Sequence, residues 1–124
     1  MLSVSESKNI QSDLLPKIGT GFCGGLSRTC GPCGAVIGSV MAINIFYGRN
    51  KPADPLDKSY PPVQKFVKEF ENMFGSTNCR QLIDCDLGTE EGRKKFTADN
   101  IIIQCKIFTA EATKMVMAII DENS

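Results

Sequence analysis

Two thiols three positions apart, with a turn-forming Gly-Pro between them, carry the most pointed chemistry in this chain: Cys30-Gly31-Pro32-Cys33. A long apolar run with helical character, Gly34 to Tyr47, follows at once. A helix start carries partial positive charge, which favours thiolate over thiol. Thiolates serve both disulfide exchange and metal ligation. Six cysteines are present in all. Cys23 sits in a Gly-rich loop, Cys79 and Cys85 lie six apart near short helix ends, and Cys105 belongs to the last helix. Ligands to one shared centre come from separate parts of a chain in this way. Soft thiolates select zinc, copper(I) or iron–sulfur clusters, and four of them complete a tetrahedral site or a cluster. The bland alternative is a small, inert, buried hydrophobe. It weighs most on Cys23 and Cys105, and least on Cys30 and Cys33.

Spacing and composition narrow the chemistry. A zinc ribbon wants two C-x-x-C pairs and only one is present; the ferredoxin spacings are absent as well. Cys-Gly-Pro-Cys is the thioredoxin tetrapeptide, but a thioredoxin-like site needs a βαβ setting, and the residues before Cys30 form a Gly-rich loop with no β-branched run. Histidine is absent. That removes Cys-His and Ser-His nucleophilic pairs, His-ligated zinc and an axial haem histidine. Fourteen Lys and Arg balance fourteen Asp and Glu, so no field favours nucleic acid or an acidic membrane surface. With no Trp and two Tyr, a base-stacking surface is not expected. The first residues, Met1 to Ser7, lack a basic stretch followed by an apolar one, which predicts a cytoplasmic protein. There, cysteines serve as metal ligands or redox thiols rather than a disulfide framework. The longest apolar stretch, Ala35 to Tyr47, is shorter than the roughly 20 residues a bilayer span requires.

The elements that must position these thiols all read as helix. The sequence predicts an all-α fold, a compact bundle of about five helices with a Gly/Cys-rich loop, as one domain over 1–124. A first helix is expected over about Glu6 to Ile18, bent at Pro16, then a loop from Gly19 to Pro32. The second helix starts near Pro32 and stops at Gly48. Its Gly34, Gly38 and Ala42 form a smooth face for close helix packing, inside the molecule or across a homodimer. After a Pro-rich connector, Ser59 and Pro61-Pro62 announce a third helix, which Gly75 stops. Its Val63, Phe66, Val67, Phe70 and Phe74 form a core stripe. A short turn, Cys79 to Ile83, precedes the turn Cys85 to Gly88. Thr89 starts a helix leading to Phe96, and Asp99 or Asn100 opens a last one running to about Ile120. On that last helix Cys105 shares a face with Phe108, Ala112, Met115, Val116 and Ile119, and so points inward.

Longer stretches carry a resemblance. Gly21-Phe22-Cys23-Gly24-Gly25 through Cys33-Gly34-Ala35-Val36-Ile37-Gly38, with Met41-Ala42 and Tyr47-Gly48-Arg49, resembles the C-GCAxxG-C-C family, described as redox-active. Gly75 to Leu82, Cys85 to Gly92, and Cys105 match its later segments, so the likeness covers about Gly19 to Ile120. It implies an all-helical fold and a redox role, and it extends to the non-haem part of split-Soret cytochromes, where cysteines hold an iron–sulfur centre. By that carry-over Cys33, Cys79 and Cys105 match family cysteines, and Cys85 matches one found in part of the family. The family's usual first cysteine lies on an extra N-terminal helix. No cysteine precedes Cys23 here, so Cys23 or Cys30 takes its place or the centre differs. The resemblance therefore implies an iron–sulfur cluster on Cys33, Cys79, Cys85 and Cys105, with Cys30 and Cys23 in reserve, passing electrons to a redox partner protein. Two alternatives stay open. One is a thiol–disulfide oxidoreductase in which Cys30 attacks and Cys33 resolves. The other is a zinc-stapled helical binding module.

Overall fold

A computed structural model describes residues 1–122. The fold is all-α, as the sequence predicts, with eight helices among the described residues. They are α1 (Leu2–Ser7), α2 (Leu14–Gly19), α3 (Cys23–Leu26), α4 (Gly34–Tyr47), α5 (Tyr60–Phe74), α6 (Cys79–Ile83), α7 (Glu90–Ala98) and α8 (Ile102–Glu122). Only α4, α5, α7 and α8 are substantial; the excess over the expected five comes from short segments.

α4, α5 and α8 pack around one core. The α5 stripe buries Phe66 and Phe70 completely, against Ile43 of α4 and Val116 and Ile119 of α8. Phe74 stacks 4.8 Å from Phe70 and meets Phe108 of α8 edge-on, also at 4.8 Å. Such tilted aromatic pairs add about 0.5–1.5 kcal/mol each beyond the area they bury. Gly75, at φ +86°, ends α5 with a left-handed cap. The small-residue face of α4 is covered by the chain itself. A methyl group on Gly34 would stand 2.9 Å from the Phe22 carbonyl, Gly38 lies against Met1, and Ala42 is fully buried. Across the far end of the bundle, Lys8 pairs with Asp121 at 2.6 Å and the Tyr47 hydroxyl donates to the Ile120 carbonyl at 3.2 Å.

Three departures from the expected elements have local causes. The first helix is two helices. Asn9 adopts φ +59° and closes α1, and the Ser12 hydroxyl accepts the Leu14 amide at 3.3 Å to start α2. Pro16 does not bend anything, because it falls in the first turn of α2, where its missing N–H would have no helical partner. The last helix begins at Ile102 because Asn100 is left-handed, φ +53°. The expected loop from Gly19 to Pro32 holds a turn of unusual hand. Residues 24–28 all have positive φ, from +55° to +70°, and Cys30 follows at +57°. Among these only Gly24 and Gly25 are glycines. For other L-residues that hand costs roughly 1–2 kcal/mol each, so tertiary bonds must hold the turn in place.

Candidate redox centre

A short stretch of backbone pairing brings the cysteine loop to α6. Pro32 and Asn78 form an isolated antiparallel bridge. The Cys33 amide donates to the Thr77 carbonyl at 2.8 Å and the Cys79 amide to the Gly31 carbonyl at 2.7 Å. Arg80 donates to the Cys30 carbonyl at 3.4 Å. Within the loop, the Cys30 and Gly31 amides bond back to the carbonyls of Gly24 and Gly25. The left-handed turn therefore lies directly on the bridge.

The six cysteines divide between two places. Cys23, Cys33, Cys79 and Cys105 line one cavity of about 1220 Å³, with walls that include Phe22, Leu82, Phe96 and Phe108. Cys33 caps the start of α4, Cys79 opens α6, and Cys105 is half-buried in the first turn of α8. Cys30 and Cys85 are buried outside that wall. The Cys30 sulfur accepts the Leu87 amide at 3.2 Å and faces the Cys85 carbonyl at 3.7 Å. The turn that carries Cys85 is itself held. Asp86 accepts the Gly88 amide at 2.9 Å, and Arg93 donates to the Leu87 carbonyl at 3.0 Å. Of the four ligands the resemblance implies, three share the cavity and Cys85 does not line it. Cys23, a reserve candidate, does. The Leu87 amide on Cys30 had no signal in the sequence, since a backbone donor leaves none.

Burial sets the protonation of these thiols. Cys33, Cys79, Cys85 and Cys105 are all pushed up from their ordinary value, with burial as the largest cause. Neighbouring thiols add to the effect. Cys79 is raised to about 12 by burial, then by Cys30, Cys33 and Cys105. At Cys33 the backbone amides of Ala35 and Val36 pull the other way, although neither closes a capping hydrogen bond of good geometry. The thiolate-favouring effect expected of the helix start is thus outweighed by desolvation. In the metal-free protein these groups are neutral thiols at pH 7.

A pH dependence follows for that metal-free protein. Unfolded thiols ionise near 9, whereas Cys79 in the folded chain holds its proton until about 12. The native state then keeps protons that the unfolded state has lost. The stabilisation is fully present below pH 9 and is lost as pH rises toward 12. The urea midpoint is expected to be lower at about pH 10.5 than at about pH 8, and Cys79→Ser is expected to narrow that gap.

Among the described residues, no group of three or more Cys, Asp or Glu side chains is gathered tightly enough to hold a single metal ion. No helix among them is long and apolar enough to cross a membrane.

A sequence model of the family described as "Putative redox-active protein (C_GCAxxG_C_C)" matches residues 1–119. A protein of Archaeoglobus fulgidus, itself described as "Uncharacterized protein", is 30% identical over 104 residues, covering 76% of this chain and 69% of that protein. No solved structure matches the fold. The family match takes in all six cysteines and reaches further toward the N-terminus than the motifs alone: the chain belongs to the C-GCAxxG-C-C family.

Proposed function

We propose that this chain is a small electron-transfer protein in which cavity-lining thiolates hold an iron–sulfur centre and exchange electrons with a redox partner protein. The observation that carries this reading is the convergence of Cys23, Cys33, Cys79 and Cys105, from four separate segments of the chain, on one cavity. The donor set fits: it is all sulfur, with no histidine in the chain, and soft thiolates are what iron–sulfur centres require. Spacing favours a cluster over a lone zinc ion. With Zn–S bonds of about 2.3 Å, tetrahedral zinc needs sulfurs within roughly 4 Å of one another, and among the described residues no three donors are gathered for a single ion. A cluster of several metal and sulfide ions spans more widely. Bound there, it would supply a site that takes up and releases single electrons.

The chain's own residues prepare that site in three ways. The Ala35 and Val36 amides at the start of α4 face the Cys33 sulfur and favour negative charge there. The apolar walls around Phe22, Phe96 and Phe108 limit water. Arg28 and Lys106, also on the lining, supply positive charge close to the thiolates.

The test is anaerobic reconstitution with ferrous iron and sulfide, followed by visible absorbance and iron and sulfide analysis. A brown protein with matched iron and sulfide is expected. A folded protein that takes up neither would overturn the reading, as would stoichiometric zinc without visible absorbance, which is the outcome of the zinc-stapled alternative.

A further inference from the structure

Cys30 is tied to a cysteine other than its neighbour in the motif. Its thiol lies close enough to that of Cys79 to help push the Cys79 thiol up. The backbones beneath them are paired, through Cys79 to Gly31 at 2.7 Å and Arg80 to Cys30 at 3.4 Å. Cys30 and Cys33 are kept apart by the same pairing. Gly31 to Cys33 runs extended against Thr77 to Cys79, with Cys33 at φ −59°, ψ 136°. Three extended steps span roughly 10 Å, whereas a disulfide tolerates Cα separations of about 4.4–6.8 Å. The left-handed backbone at Cys30, φ +57°, breaks the side-chain alternation of the extended run. Cys30 meets Cys79 and the Cys85–Leu87 turn, while Cys33 lines the cavity.

We propose that Cys30 and Cys79, rather than the C-x-x-C partners Cys30 and Cys33, form an internal dithiol–disulfide couple. The oxidant is a low-molecular-weight disulfide, admitted through the cavity that Cys79 lines. Its S–S bond breaks and one S–S bond forms between Cys30 and Cys79. Two electrons and two protons pass from the protein thiols to give two free small thiols. The couple does not depend on the iron reading. It does withdraw Cys79 from the cavity, so the disulfide and a metal centre exclude each other.

The experiment uses the full chain, free of iron and incubated with oxidised glutathione, then alkylated under denaturing conditions and digested with trypsin. The peptide of residues 29–49, which holds Cys30 and Cys33, is expected to be joined to residues 69–80, which hold Cys79. Fragment ions are expected to place the bond on Cys30. The link is expected to survive Cys33→Ser and to disappear in Cys30→Ser. The fragment-ion assignment in the unmutated chain decides the matter even where a variant folds poorly. A bond closed within residues 29–49, a link to Cys85, glutathione adducts in place of a link, or full alkylation of all six cysteines would each overturn the proposal.

Discussion

Replacing Cys105 by serine is expected to lower the iron content of the reconstituted protein at least ~10-fold, because a hydroxyl is a poor substitute for a soft thiolate. Cys105 suits the test because it sits in the first turn of α8, half-buried, ahead of the residues that form the core from Phe108 onward. The change is nearly isosteric, so the helical circular dichroism is expected to stay as it is. Cys85→Ser is the matched control. Cys85 is buried beside Cys30 and does not line the cavity, so the variant is expected to retain most of its iron. Iron analysis and visible absorbance on the two variants, side by side, decide the ligand set. The reverse pattern, with Cys85 required and Cys105 dispensable, would move the site to the other side of the loop. The raised thiols also give loading a pH signature. Thiols that are neutral at pH 7 must release protons when metal binds, so iron uptake is expected to improve as pH rises from neutral.

The second large effect is expected at Gly25, where alanine should destabilise the fold by about 2–5 kcal/mol. Two costs combine there. Gly25 is left-handed at φ +61°, and an added methyl would stand 2.6 Å from the Gly31 carbonyl oxygen, 2.7 Å from the Gly31 nitrogen and 2.8 Å from Cys79 Cβ. Its nearest neighbours are backbone atoms of the bridge, which cannot swing aside as a side-chain end can. Gly75→Ala separates the two costs. Gly75 is also left-handed, at φ +86°, yet nothing lies within 4 Å of an added methyl. Only the conformational cost of about 1–2 kcal/mol applies there. Urea unfolding of both variants measures the difference. Equal losses would mean that the loop does not press on Gly31 and Cys79 as described.

The long elements were legible because single residues mark their ends and a regular period marks their faces. Pro61 and Pro62 open α5, Gly75 closes it, and its aromatic stripe at helical spacing finds the core with Phe66 and Phe70 wholly buried. The break between α1 and α2 was not legible. It depends on one left-handed Asn9 and one serine hydroxyl inside an ordinary polar run, and Pro16, the obvious breaker, sits where proline does no harm. The centre was legible in part. That thiols from separated segments approach one another could be read from their types and positions, and Cys33, Cys79 and Cys105 do line one cavity. Which of them share a wall could not, because the direction each one faces is decided by backbone hand and pairing. Leu26, Ser27 and Arg28 have no intrinsic taste for left-handed geometry. Nothing in their identity announces a turn that delivers Cys23 to the cavity and Cys30 away from it.

That turn also sets the order in which the molecule comes apart. Three non-glycine residues held in the unfavoured hand store on the order of 3–6 kcal/mol, a large share of a small domain's whole stability. Detaching the loop from Thr77 and Cys79 forfeits hydrogen bonds and the burial of Cys30 and Cys79 but releases that store, whereas unpacking α4, α5 and α8 releases no such strain. The stored strain lowers the stability of the loop relative to the same hydrogen bonds made by unstrained backbone. Hydrogen exchange measures it: amides at Cys30, Gly31 and Cys33 are expected to exchange ahead of those at Phe66 and Phe70. A thiol site that gives way ahead of its scaffold would meet oxidants from solution without the protein unfolding.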